Sequence, residues 1–150
     1  GTFRKKELAP ARRLVIVDGY NLIYSWDTLK EIAAESLEKA RETLMDLLSN
    51  YVAYTKQELT LVFDAYLVKD GEGSDFMHDG YRVVYTKENQ TADAYIEALA
   101  DQIGKNYAVR VATSDALVQL SSLRSGVLRM SARELRLEVE QAVKDMEKYF

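Results

Sequence analysis

The chain contains no cysteine, which removes disulfides, thiolate zinc sites and thiol nucleophiles together. Proline occurs once, at Pro10, and no linker-like composition follows it, so no domain boundary is marked. No apolar run approaches the ~20 residues that cross a bilayer, and the N-terminus lacks an apolar signal core, so a soluble, cytoplasmic protein is expected. The single histidine, His78, sits in a polar stretch where a solvated ring is expected rather than a general base. Positive charge is also in short supply. Twenty Lys and Arg against 24 Asp and Glu give a net charge of −4, which argues against coating nucleic acid by bulk electrostatics. A nuclease stays open, because a site that holds cations is acidic in sequence and accepts phosphate through the metal. Glycines number seven, and none of them form Gly-x-Gly-x-x-Gly: Asp18-Gly19-Tyr20-Asn21 has one, and Gly71-Glu72-Gly73 opens no helix. That argues against a dinucleotide-binding Rossmann protein.

What is present fits one α/β domain of 150 residues, with 47% hydrophobic and 29% charged residues. Residues 1–12 read as an N-terminal extension or expression remnant ahead of a domain spanning 13–150. Short apolar runs at Leu14–Val17, Leu59–Phe63, Arg82–Tyr85 and Tyr107–Ala112 predict four strands, and Val127–Met130 a fifth. Between them lie helical periodicities: Thr28–Tyr54, with Ser36 able to split it in two; a helix capped by Thr91 and closed by Gly104; a short stretch from Leu117 to Leu123; and a last helix behind the capping box Ser131-x-x-Glu134. Val68–Gly80 has the glycine and aspartate content of a mobile loop. Alternating strands and helices with near-continuous apolar strands imply a mostly parallel sheet of four to five strands, covered by helices on both faces.

In such a sheet the ligand site lies beyond the carboxyl ends of the strands. Asp18 closes the first strand, Asp64 the second, Asp115 follows the fourth, and Asp93 opens the helix after the third, with Glu97 one turn on. Two carboxylates ~4 Å apart repel by about 4 kcal/mol at an effective dielectric of 20, a large share of a total stability of ~5–15 kcal/mol. Either hydrogen bonds keep them apart or a hard cation such as Mg2+ or Mn2+ neutralises them. Singly, each aspartate also fits an ordinary turn or cap. Around them, Asn21 can orient a metal-bound water or hold the turn, and Thr113 and Ser114 can donate to Asp115 or start a helix. Tyr20, Tyr24 and Trp26 can stack on bases or fill the core, and Lys87 and Arg133 can meet phosphates or simply face solvent. A phosphoryl-aspartate receiver is a weaker rival, since Asp18-x-Tyr20 lacks the second acid.

Leu14-Val15-Ile16-Val17-Asp18-Gly19-Tyr20-Asn21 resembles the signature of NYN domains, a branch of the PIN-like nucleases. Val62-Phe63-Asp64-Ala65, Thr86 to Asp93, Val111 to Asp115 and Ser131 to Leu135 are similar, in the same order, to the YacP-like subgroup. The segment 68–80 departs from that pattern. The resemblance implies a PIN-like (Rossmann-like) fold and a Mg2+- or Mn2+-dependent endoribonuclease acting on RNA, with mRNA on the ribosome as its setting. It implies Asp18, Asp93 and Asp115 as the metal-binding catalytic carboxylates, supported by Asn21 and Asp64. A non-catalytic RNA- or ribosome-binding module on the same fold is the alternative.

Overall fold

The computed structural model describes residues 12–65, 72–103, 106–113 and 126–149. In chain order these form β1 (Arg12–Asp18), α1 (Gly19–Ser25), α2 (Asp27–Glu35), α3 (Leu37–Thr55), β2 (Glu58–Phe63), β3 (Ser74–His78), β4 (Tyr81–Tyr85), α4 (Ala92–Gln102), β5 (Tyr107–Ala112), β6 (Val127–Met130) and α5 (Ala132–Glu147). Six strands make one sheet in the order β3-β4-β2-β1-β5-β6, parallel throughout except for the antiparallel β3–β4 pair. No described helix is long and apolar enough to cross a membrane.

The sheet holds one strand more than the four to five expected, and the extra one comes from the supposed loop. Ser74–His78 folds back on β4 through Asp79-Gly80, both at positive φ (47° and 86°), as a type I′ hairpin turn requires. β3 escaped notice because it is an edge strand with four of its five residues exposed, so it carries no apolar alternation. The Asp-Gly pair was its only local signal.

Strand alternation divides the core in two. Val15, Val17, Leu61, Phe63 and Val83 face α1, α2, α3 and α5, whereas Leu14, Ile16, Val62, Val109 and Val111 face α4 through Ala92, Ile96 and Ala100. Ser36 does split the second helical region: its extended backbone breaks the helix and its hydroxyl accepts from the Lys39 amide at the start of α3. Thr91 and the Ser131–Glu134 capping box also act as expected. Gly104 and the stretch 117–123 lie outside the described residues.

On the larger core's side, four polar side chains from separate elements close a network. Arg110 donates to Glu138 (2.7 Å) and Gln57 (2.7 Å), Gln57 donates to the Tyr51 hydroxyl (2.9 Å), and Tyr51 donates to Glu138 (2.8 Å). Burial alone would push the Glu138 carboxyl up, but the hydrogen bonds from Arg110 and Tyr51 outweigh it and hold it below the usual range. The folded state therefore binds this proton less readily than the unfolded chain. The stabilisation is full above the unfolded value of about 4.3 and is lost as pH falls through the lower folded value. Urea denaturation of wild type and Glu138→Gln should differ by about 1–3 kcal/mol at pH 7, and the gap should narrow as the pH falls below about 4; a pH-independent gap would show that ionisation of Glu138 is not involved.

Candidate active site

Every parallel strand of the sheet ends at the same edge, and helix starts gather there with them. β1 runs into α1 with no intervening loop, because Asp18 is at once the last strand residue and the N-cap of the helix. Its Oδ1 accepts from the Asn21 amide at 3.4 Å, and its Oδ2 from the Thr113 hydroxyl at 3.3 Å. Thr113 is fully buried and Asp18 nearly so. The β1–β5 register, Val17 opposite Ala112, continues to set Thr113 beside Asp18, and the Thr113 amide is fixed in turn by the Met130 carbonyl at 3.1 Å. These two bonds orient the Asp18 carboxylate from two sides.

Close packing keeps this corner in place. A Cβ at Gly19 would stand 2.5 Å from the buried Phe63 ring and 3.1 Å from the Val62 carbonyl, so only glycine fits between Asp18 and β2.

One strand over, Asp64 follows β2 and its Oδ2 accepts from the Ala92 amide at 3.0 Å, tying the first turn of α4 to the end of β2. Sequence reasoning missed the partner in this arrangement, Thr86. Its amide donates to Phe63 O (3.0 Å) and its buried hydroxyl accepts from the Ala65 amide (2.8 Å), which locks the Asp64 turn against the start of the 86–91 segment. In the sequence it stands just beyond a strand, at the head of the family-like stretch Thr86 to Asp93, with nothing local to mark its partners.

Asp93 lies in the first turn of α4, half-buried. Ala92, Ile96 and Ala100 point down onto β1 and β2, and the flanks on either side of that stripe carry different residues. Tyr95 takes the flank toward β3 and β4: burial pushes its phenol up, while Arg82 and Asp75, paired with each other across those two strands, act on it electrostatically. Helical geometry sets Asp93 and Glu97, i and i+4, on the opposite flank, toward β1 and β5. Asp18, Asp64, Asp93 and Thr113 thus share one edge of the sheet, as read from the sequence. Asp115 and Ser114 lie outside the described residues.

Electrostatics favour anions there. α1, α4 and α5 all begin at this edge, and a helix N-terminus carries the equivalent of roughly +0.5 charge, which offsets part of the carboxylates' negative charge. Carboxylate oxygens are the donors that Mg2+ and Mn2+ prefer, so the donor chemistry fits such an ion. Among the described residues no group of three or more acidic or histidine side chains is placed to hold a metal, and the set expected from sequence is completed by Asp115.

The aromatic candidates need correction. Tyr20 and Trp26 are each only 7% exposed: Tyr20 packs on Phe63 at 5.0 Å between ring centroids and accepts from Arg41 at 3.1 Å, and Trp26 belongs to the larger core. The helix starting directly at Gly19 turns Tyr20 inward, and Trp26, just past its end, packs into the same core away from the carboxylate edge. Tyr24 is exposed, as are Lys87 and Arg133, the latter in the first turn of α5.

A family model described as the YacP-like NYN domain matches residues 15–150. The chain is 43% identical over 137 residues to "Uncharacterized protein YacP" of Bacillus subtilis (strain 168), covering 90% of this chain and 79% of that protein. Among solved structures, the crystal structure of Rae1 (YacP) from Bacillus subtilis superposes with a TM-score of 0.77 at 42% identity over 91% of this chain and 78% of the other. A point mutant of it gives 0.76 at 39%, over 91% and 80%.

Proposed function

The chain belongs to the YacP-like NYN family of nuclease-type domains, and from that premise we propose that it is a Mg2+- or Mn2+-dependent endoribonuclease. Its substrate in this reading is single-stranded RNA, with mRNA presented on a ribosome as the natural setting. One observation supports it above the rest: Asp18, nearly buried at the end of a central strand, is held by the hydroxyl of a residue 95 positions away. A turn-forming aspartate needs only its own N-cap bond. A carboxylate whose second oxygen is fixed from another strand is being aimed.

Asp18, Asp93 and Asp115 would hold the ion, and when bound it supplies Lewis acidity toward the phosphodiester and an acidified water. Thr113 and the Asn21 amide set the direction of the Asp18 oxygens. Asp64 fixes Asp93 through Ala92, since a helix start displaced by an ångström would misplace the carboxylate it carries. Lys87 and Arg133, exposed at the same edge, contact the phosphates on either side of the scissile bond. The three helix N-termini lower the cost of bringing a polyanion to an acidic site.

The test is incubation of the protein with end-labelled single-stranded RNA in Mn2+, in Mg2+ and in chelator. Internal cleavage that requires the cation is expected on naked RNA or on RNA presented by ribosomes. Absence of cleavage in both presentations, together with no effect of millimolar Mn2+ on the melting temperature, would replace the enzyme by a non-catalytic RNA- or ribosome-binding module.

A further inference from the structure

Beside the carboxylates, on the flank of α4 that Asp93 does not occupy, lies an open hollow of about 620 Å3 lined by Lys87, Glu88, Asn89, Gln90 and Tyr95. Its volume is within the range of small-molecule sites, about 300–1,000 Å3. We propose that it is a base-selective nucleotide subsite, which seats one base of the RNA next to the scissile phosphate. The inference rests on the nuclease reading for its setting, and on the hollow's own chemistry for its ligand.

Three features carry it. The first is rigidity, because the segment that walls the hollow is fixed at each end and in the middle. Thr86 is bonded to Phe63 and Ala65, the Gln90 amide closes a turn onto the Lys87 carbonyl at 2.8 Å, and Thr91 caps α4 by accepting from the Ala94 amide at 3.1 Å. The backbone that carries the lining side chains is thereby set in place, which selectivity requires.

The second is the mixture of groups. Asn89 and Gln90 each offer a donor and an acceptor, the pattern that pairs with a base edge, and Glu88 adds an acceptor-only carboxylate. Tyr95, half-buried on the wall, offers an aromatic surface for stacking. Lys87, exposed on the wall, brings the positive charge a phosphate needs. The third feature is position. The wall runs from Thr86, bonded to the residue after Asp64, to Thr91, two residues before Asp93, so a base seated in it is tethered next to the carboxylate edge.

Because a carboxylate only accepts, Glu88 favours bases with an exocyclic amino group, and uracil, whose single base-edge donor is N3–H between two carbonyl oxygens that a carboxylate repels, is the expected weakest ligand. Binding of AMP, GMP, CMP and UMP to the full chain in chelator, followed by amide chemical shifts, tests this without catalysis. Millimolar binding of at least one amino-bearing nucleotide is expected, with shifts confined to residues 86–97 and UMP weakest. Asn89→Ala with Gln90→Ala should weaken the preferred nucleotide about tenfold and flatten the differences among the four. Lys87→Ala should weaken all of them alike, and Tyr95→Leu should cost each about fivefold. Equal binding of the four by wild type, shifts elsewhere, or an unaffected double variant would overturn the subsite.

A second arm maps cleavage positions in randomised RNA. Wild type should show a base preference beside the cut that the double variant loses. If nucleotides bind in the hollow and no RNA is cut, the nuclease reading fails and the subsite stands. If RNA is cut with the same preference by wild type and the double variant, the subsite fails and the nuclease reading stands.

Discussion

Asp18→Asn is expected to cut the rate of metal-dependent RNA cleavage by at least about a hundredfold while leaving the protein folded. The side chain keeps its size. Asparagine is as good an N-cap as aspartate, so the Asn21 amide keeps its acceptor, and the Thr113 hydroxyl, which can accept as well as donate, can turn to meet an amide NH2. What disappears is one negative charge at an edge where Asp64 and Asp93 also gather. Without cation the variant should melt no lower than wild type, since one source of repulsion is gone. With millimolar Mn2+ its gain in melting temperature should shrink, because a ligand that binds only the folded state stabilises in proportion to its affinity. Cleavage kinetics and thermal melts with and without Mn2+ measure both. A variant that cleaves at the wild-type rate would remove Asp18 from the metal site, and the same pair of measurements on Asp115→Asn tests the third carboxylate.

Gly19→Ala is expected to destabilise the fold by about 3 kcal/mol, on the order of 10 °C in melting temperature for a chain of this length. The added methyl would meet the Phe63 ring at 2.5 Å, and that ring is wedged between Tyr20 and Tyr85 with no exposed surface. The ring cannot swing away, so either β1 and β2 move apart at the active edge or α1 shifts and takes the Asp18 cap with it. Urea denaturation gives the stability. Phe63→Leu in the same background separates a steric cause from any other: if the clash is responsible, the double variant should lose less than the sum of the two singles, with coupling of about 1 kcal/mol or more. Strict additivity would show that glycine is required there for another reason.

The parts of this protein that were legible in its sequence are those whose signals are local. β1 ends in Asp18 after four consecutive apolar residues, the helix over 92–102 announces itself by Thr91 and a repeating apolar stripe, and the Ser131–Glu134 capping box needs only four residues. The placement of Asp18, Asp64 and Asp93 along one edge of the sheet followed from a topological rule applied to those elements. Signals that depend on distant partners stayed hidden. α1, under two turns long and rich in aromatics, has too short a period to register, and missing it left Tyr20 and Trp26 as candidate base-stacking residues when helix geometry in fact buries them. β3 is held by its pairing with β4 rather than by its own composition. Asp64 reaches an amide 28 positions away, and Arg110 joins residues from α3, α5 and the approach to β2; no window along the chain contains such pairs.

α4 rests on the sheet through Ala92, Ile96 and Ala100, two of them no larger than a methyl group. Cooperative unfolding units follow packing, and a helix held by so small an apolar surface opens at lower free energy than the central strands beneath it. Asp18 is built into a central strand, while Asp93 rides on that helix. A partial opening of α4 would carry one carboxylate away from the other and leave most of the secondary structure intact. Catalytic competence would then fail under milder heat or denaturant than the fold, and slow amide exchange in β1 with faster exchange in α4 is the pattern that accompanies it.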